Sequence, residues 1–214
     1  MLIVEDHGLL GDSLGAALRS EGFDVVRPNA LDVETVLAEA DATNPHVALL
    51  DLRLDGDETA LPMIAPLRDG GASVVMVTGE RDRVRLAECV EAGAIGLVDK
   101  SESFDSLLEA VRHVARLRTM LTEAERDDLL RLLREARLAD GRRREPFERL
   151  TAREQAVLGG VMDGLSAEAI AERDFVSIAT VRSQIRSILS KLGVSSQLAA
   201  VALARAAEWA PPEA

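Results

Sequence analysis

The sequence predicts an α/β domain built on a five-stranded, doubly wound parallel sheet, followed by a second, smaller all-α domain of four helices. Three observations predict it. Short aliphatic runs alternate with segments of helical period from residue 1 to about residue 118, the pattern of a parallel sheet covered by helices on both faces. From Leu150 onward the period is helical throughout, and each helix start carries a capping residue. Aromatic residues are 2% of the chain and Tyr is absent, so the core material is Leu, Val and Ala, which favours helices and buried aliphatic strands over an aromatic-rich all-β domain. At 214 residues, 47% of them hydrophobic, the chain is long enough for two small cores.

The elements follow in order. A strand from Leu2 to Glu5 precedes a helix carrying Leu10, Leu14, Ala17 and Leu18, and a strand from Asp24 to Arg27 precedes one carrying Val33, Val36, Leu37 and Ala40. The third strand, Val47-Ala48-Leu49-Leu50, ends at Asp51. A weaker helix around Ala60 to Arg68 contains Pro66, which lacks the amide needed inside a helix and is expected to shorten or kink it. Gly70 and Gly71 turn the chain into a fourth strand, Ser73 to Thr78. A helix from about Arg83 to Ala92 ends at Gly93, the fifth strand is Gly96 to Asp99, and a fifth helix spans roughly Ser103 to Leu117. Strand one begins almost at Met1 although a central position is expected for it, so residues upstream of this chain are expected.

Residues 119–146 read as a helical linker. Thr122 and Glu125 form a capping box, and the helix that follows places Leu129, Leu132, Leu133 and Ala136 on one face, stopping near Gly141 ahead of Arg142, Arg143 and Arg144. That apolar stripe packs on its own domain or pairs with a second copy. The basic run is either solvated linker or a phosphate contact. Residues 147–210 form the second domain. Thr151 and Glu154 open a helix to about Asp163, Ser166 opens one through Arg173, Ser177 opens a third that Gly193 closes after Leu192, and Ser195 or Ser196 starts a fourth. The second and third, joined by a short turn at Asp174 to Val176, make a helix-turn-helix. On its second helix Val181, Ile185, Ile188, Leu189 and Leu192 form the core stripe, leaving Arg182, Ser183, Gln184, Arg186 and Lys191 outward or flanking. Arg pairs bidentately with guanine or phosphate and Gln with adenine, chemistry that suits a DNA-reading face and that ordinary solvated helices also carry.

Charge separates the two halves. The net charge of −12 lies almost wholly in residues 1–120, where 22 acidic side chains face 11 basic ones, whereas residues 147–214 carry 8 acidic and 7 basic. A near-neutral second domain can still bind a polyanion if its cations share one face. Cys89 is the single cysteine, which excludes an internal disulfide framework. No stretch reaches the ~18 apolar residues of a membrane span, and Glu5 and Asp6 break the first apolar run too early for a signal peptide. A cytoplasmic protein without a membrane partner is expected.

Four strand ends carry reactive groups: Glu5 and Asp6, Asp51, Thr78, and Lys100. An acid after a strand is commonly a turn residue; three acids, a hydroxyl and an amine in this order at the carboxyl edge of one sheet are a ligand site. If the first and third strands are neighbours, Glu5, Asp6 and Asp51 repel one another and are relieved by a hard divalent cation, for which Mg²⁺ is suited. A carboxylate can then attack phosphorus while the cation, Lys100 and the Thr78 hydroxyl neutralise the phosphoryl oxygens.

The motifs IVEDH (3–7), LLDLRLDG (49–56), VTG (77–79) and AGAIGLVDK (92–100) resemble those of the flavodoxin-like receiver domain of bacterial response regulators, over residues 1–118. The resemblance implies that Asp51 accepts phosphate from a sensor histidine kinase, that Glu5, Asp6, Asp51 and the backbone carbonyl of Arg53 hold Mg²⁺, and that Thr78 and Lys100 contact the phosphoryl group. Four positions depart from that pattern. Leu97 stands where a switching Tyr or Phe is usual, Ser101 where Pro is common, and Arg53 and Asp55 alter the loop after Asp51. Likewise LTAREQAVL (150–158), GLSAEAIAE (164–172), VSIATVRSQIRSILSKLGV (176–194) and AAVALA (199–204) resemble the LuxR-type helix-turn-helix. Together they resemble NarL/FixJ-type response regulators, which implies a homodimer when active, double-stranded DNA as partner, and DNA contacts from Ser177, Thr180, Arg182, Ser183, Gln184, Arg186 and Lys191. Asp174 takes a usually apolar position, and Phe175 is expected to fill the gap it leaves; Gln184 stands where His is frequent. Two other readings remain at this point: a receiver that controls DNA binding through a ligand, a partner or constitutive dimerisation, as Leu97 would favour, and a free-standing phosphatase on a similar sheet, for which no independent general acid is found.

Overall fold

The computed structural model describes residues 1–54, 59–117 and 120–211. Asp55 lies outside them. The chain divides into two compact units, Met1–Glu135 and Ala136–Ala214, the division falling inside the segment 119–146.

In the first unit β1 (Leu2–Val4), β2 (Val47–Leu50), β3 (Ser73–Thr78) and β4 (Gly96–Asp99) form a parallel sheet in the order β1-β2-β3-β4. Every β1 and β2 residue is buried, as expected of strands covered on both faces. Helices α1 (Gly8–Ser20) and α5 (Phe104–Leu117) cover one face, where Leu14, Leu18 and Val111 pack on Ile3, Leu49, Val75 and Val98. Helices α2 (Val33–Thr43), α3 (Leu61–Asp69) and α4 (Arg83–Ala92) cover the other, where Val36, Met63, Ile64 and Cys89 pack on Val4, Leu50, Val74 and Met76.

The sheet of the described residues has four strands rather than the five expected. The segment Asp24 to Arg27 lies beside β1 but makes a single bridge, Leu2 to Val26. The Val26 amide donates to the Met1 carbonyl and the Ile3 amide to the Val26 carbonyl; the next donor in a parallel ladder would be residue 28, and Pro28 has no amide. Pro66 does not cut its helix short: α3 continues to Asp69 because Met63, Ile64 and Leu67 are buried while Pro66 faces solvent.

Helix α6 spans Glu123–Glu148 and does not stop at Gly141. Its start is the expected capping box, with the Thr122 amide donating to Glu125 at 2.9 Å and the Glu125 amide to Thr122 Oγ1 at 3.2 Å. One glycine costs about 1 kcal/mol in a helix, which the Asp140–Arg144 pair (3.3 Å) and the burial of Phe147 beyond it help to offset. Leu129 and Leu133 are buried against Ala87 and Val90 of α4, in the first unit; Leu132 and Ala136 are only half-buried.

The second unit contains α7 (Ala152–Met162), α8 (Ala167–Arg173), α9 (Ile178–Leu192) and α10 (Gln197–Ala206), capped by Thr151, Ser166, Ser177 and Ser196. Its core joins Val157, Leu158, Ile170, Val181, Ile185, Ile188 and Ala204 around Phe147. Phe147 stacks on Trp209 with ring centroids 5.1 Å apart and planes 18° from parallel. The chain beyond Trp209 closes on α7 where Gly159 leaves room: a Cβ there would meet Pro211 at 2.9 Å. Trp209→Ala is expected to lower the stability of this unit by about 2 kcal/mol, read from chemical denaturation followed by far-UV circular dichroism. Among the described residues, no single helix is long and apolar enough to cross a membrane.

Candidate functional site

Parallel register delivers the reactive side chains to one edge. Val4 pairs with Leu50 and Thr78 with Asp99, so Glu5, Asp51, Thr78 and Lys100 all emerge from the carboxyl ends of their strands. Glu5, Asp51 and Thr78 are 5%, 4% and 3% exposed, far more buried than turn acids. Lys100 Nζ lies 2.5 Å from Asp51 Oδ2 and 2.7 Å from Glu5 Oε2. The Arg53 amide donates to Asp51 Oδ1 at 3.2 Å. The Glu80 amide donates to Thr78 Oγ1 at 3.1 Å, which leaves the hydroxyl proton to be given elsewhere. Asp51, Arg53, Thr78 and Lys100 line one open cleft with Asp6, His7 and Glu80.

Electrostatics follow from this packing. Burial pulls the Lys100 ammonium down, but its hydrogen bonds to Asp51 and Glu5 outweigh that and hold its pKa above the usual value. Burial pushes Asp6 up, and hydrogen bonding from His7 with the nearby Lys100 charge brings it below the usual carboxylate value. Ligand atoms of Glu5, Asp6, His7 and Asp51 lie within 4.8 Å of one another. Three carboxylates this close, two of them buried, are an oxygen-donor set that fits a hard divalent cation.

Two residues that the sequence reading passed over shape this edge. His7 turns Nδ1 toward Asp6 Oδ1 (2.8 Å) and Glu5 Oε1 (3.2 Å) instead of capping α1. Arg27 reaches from the bridging segment to donate to the Glu5 carbonyl at 3.2 Å and pairs with Asp12; it fits because residue 11 is Gly, whose Cβ would collide with the guanidinium. No signal in the sequence links residue 27 to residue 5.

The helix-turn-helix forms as expected, with one correction. Helix α8 ends in a Schellman turn, the Val176 amide donating to the Ala171 carbonyl (3.0 Å) and the Phe175 amide to the Glu172 carbonyl (3.3 Å). That turn demands a left-handed residue, and Phe175 takes it at φ 54°, a position glycine usually fills. The conformation throws the ring outward, 96% exposed, so Phe175 does not fill the gap left by Asp174. Asp174 instead stays near the surface, held by Arg173 at 2.6 Å.

On α9, Ser177 caps the helix by accepting from the Thr180 amide at 3.0 Å. Arg182, Ser183 and Arg186 are exposed and Gln184 is half-buried; Arg182 lies 3.1 Å from Glu168 of α8. Lys191 points the other way, 2.6 Å from Glu154 Oε2. Glu154 is the buried acid of this unit, 6% exposed. It completes the Thr151 capping box on α7 and also accepts from Ser187 (2.7 Å) and Lys191 (2.6 Å) on α9. Burial alone would raise its pKa, but these donors prevail and bring it down to about 2.

Comparison with known proteins assigns each of the two regions to a family. Residues 1–112 match the response regulator receiver domain family and residues 148–204 the luxR family of bacterial regulatory proteins. Over 206 residues the chain is 30% identical to the nitrate/nitrite response regulator protein homolog of Haemophilus influenzae, spanning 95% of this chain and 94% of that protein. The chain is a NarL/FixJ-type response regulator. This regulator is also 31% identical over 204 residues to the nitrate/nitrite response regulator protein NarP of Escherichia coli (95% and 93% of the two chains). It is 29% identical over 211 residues to the DNA-binding transcriptional activator DevR/DosR of Mycobacterium tuberculosis (95% and 93%). Among solved structures it is similar to the response regulator StyR (27% identity, TM-score 0.44, 96% and 97% covered) and to RcsB in its DNA complex (22%, 0.48, 95% and 96%). The family is one of transcription regulators rather than of catalytic enzymes, so the phosphatase reading falls.

Proposed function

We propose that this regulator accepts a phosphoryl group on Asp51 and thereby changes its binding to paired sites on double-stranded DNA. The observation that supports this best is the meeting of Asp51 with Lys100, Glu5 and Thr78 at one buried sheet edge. In the reaction an Asp51 carboxylate oxygen attacks phosphorus, the bond from phosphorus to the histidine nitrogen of a sensor kinase breaks, and an acyl phosphate forms. Lys100, now on the carboxylates of Asp51 and Glu5, can take up phosphoryl oxygens, and the Thr78 hydroxyl donates to another. Mg²⁺ held by Glu5, Asp6, Asp51 and the Arg53 carbonyl would supply the remaining positive charge. Arg182, Ser183, Gln184 and Arg186 read the major groove, while Ser177 and Thr180 at the start of α9 reach phosphate; Lys191 fixes α9 on α7 through Glu154. A homodimer places two such helices about 34 Å apart, one turn of DNA. Such a circuit operates in the cytoplasm.

The test is acetyl phosphate with Mg²⁺ followed by a gel shift on DNA selected from a random pool, in which labelling and tighter binding rise together. In the same assay Arg182→Ala and Arg186→Ala are each expected to weaken binding by about 1–3 kcal/mol. A side chain that contacts phosphate should also lower the slope of log affinity against log salt by about 0.9. Unchanged affinity in both variants removes α9 as the reading element. A second reading, in which the receiver signals without phosphorylation, is favoured by aliphatic Leu97. It predicts that beryllofluoride binds without altering oligomeric state in sedimentation.

A further inference from the structure

Arg182 is not a free cation. Its Nη2 donates to Glu168 Oε1 of α8 at 3.1 Å, although the two side chains are 65% and 55% exposed. Both ends of this contact stand on fixed ground. Ser166 caps α8 by accepting the Ala169 amide at 3.2 Å and so puts Glu168 in the first turn, where the helix dipole favours an acid. Ile170 and Ala171 of α8 are buried in one core with Val181 and Ile185 of α9, so packing, and not the ion pair, sets how far apart the two backbones stand. Arg186 lies one turn further along the same face of α9. It is exposed and makes no ion pair among the described residues.

An acid at this place is not explained by stability, because an ion pair this exposed adds little. Nor does it help general attraction to DNA. A duplex carries one negative charge per about 1.7 Å of its axis, so a carboxylate beside the reading helix weakens binding to every sequence. What the pair changes is the freedom of Arg182. A guanidinium carries five N–H donors in a rigid fork. With Nη2 on Glu168, the remaining donors can still pair with O6 and N7 of a guanine presented in the groove. Swinging the side chain to a phosphate instead breaks the pair and leaves the carboxylate facing the DNA alone.

We propose that Glu168 is a specificity-determining residue of the DNA-binding face: it holds Arg182 toward a base edge and makes each non-specific contact of that side chain cost an ion pair. The proposal rests on the reading of α9 as the element that enters the major groove. Discrimination then comes from a repulsive group as much as from an attractive one. Arg186, which nothing restrains, adds affinity without this selectivity.

Gel shifts with the full chain test this, on DNA that wild type selects from a random pool and on the same DNA scrambled. Loss of a nearby negative charge alone would tighten both by the same factor, so the ratio of the two affinities is the quantity to read. Glu168→Ala should tighten binding to scrambled DNA, steepen its salt slope by about 0.9 as Arg182 takes a phosphate, and lower the ratio about tenfold. Glu168→Gln, which keeps the size of the side chain and weakens the pair, should move the ratio in the same direction. The tenfold loss should persist when Glu168→Ala is combined with Arg186→Ala and vanish when it is combined with Arg182→Ala. An unchanged ratio in both Glu168 variants overturns the positioning role, and so does a loss that persists without Arg182; in either case α9 remains the reading element as long as Arg182→Ala weakens binding to the selected site. If Arg182→Ala and Arg186→Ala both leave that binding unchanged, the reading of α9 fails and the role of Glu168 fails with it.

Discussion

Asp51→Asn abolishes incorporation of phosphoryl label from acetyl phosphate, and leaves DNA affinity at the level of the untreated protein. The expected loss is at least about a hundredfold, because the amide removes the nucleophile itself and not a contributor to its environment. The substitution keeps the size of a side chain that is 4% exposed, and its remaining carbonyl oxygen can still accept from the Arg53 amide, as Oδ1 does at 3.2 Å. Lys100 keeps Glu5 as a partner at 2.7 Å. The fold is therefore expected to survive, which circular dichroism would verify, and the missing label can be assigned to chemistry. Chelation of divalent cations should remove the label from wild type as well. Label retained on Asp51→Asn would place the acceptor elsewhere and sink the assignment.

Glu154→Ala destabilises the second unit by about 3 kcal/mol. The carboxylate collects the Thr151 amide and hydroxyl, Ser187 and Lys191, so its removal leaves several donors on two helices without a partner in a mostly buried place. The same residue predicts an acid limb. Its carboxyl titrates near 2 when folded against an ordinary value of 4.5, so the folded state holds the charged form and the unfolded state binds protons first. Stability from this group is complete above about pH 5 and is lost as the pH falls from 4.5 toward 2, a change on the order of 3 kcal/mol. Trp209 is the single tryptophan of the chain and stacks on Phe147 within this unit, so its fluorescence reports the unfolding of this unit specifically. Denaturant titrations at pH 7, 4 and 3 should show wild type losing stability that Glu154→Gln lacks at every pH. Parallel curves for the two proteins would show that Glu154 is not held as the geometry indicates.

The receiver half and the helix-turn-helix half were legible because each rests on local signals. Aliphatic runs ending in an acid, a hydroxyl or an amine mark the strands and their carboxyl ends, and Thr151, Ser166, Ser177 and Gly193 mark helix ends through bonds to residues a few positions away. What escaped depends on a partner distant in sequence or on a backbone geometry that overrides side-chain preference. A single missing amide, at Pro28, reduces an expected strand to one bridge. Gly141 reads as a stop, yet α6 runs through it because Phe147 is buried beyond. The hydrophobicity of Phe175 argued for a core position, and the left-handed turn that closes α8 sends it to solvent.

By itself, then, the sequence determined that Glu5, Asp51, Thr78 and Lys100 each stand at the carboxyl end of a buried strand and that α9 presents Arg182 and Arg186, since strand and helix periods place side chains without reference to the rest of the chain. Only the tertiary structure decided what the remaining residues of those motifs do. Lys191, which its helix position left flanking the outward face, turns to Glu154 because a buried carboxylate 37 residues away needs a cation. Leu97, which reads as the loss of a switch, lies under the linker helix because Leu129 and Leu133 need an apolar surface and α4 with β4 supplies it. Burial and charge pairing are satisfied by whatever the fold brings near, and no local period records that choice.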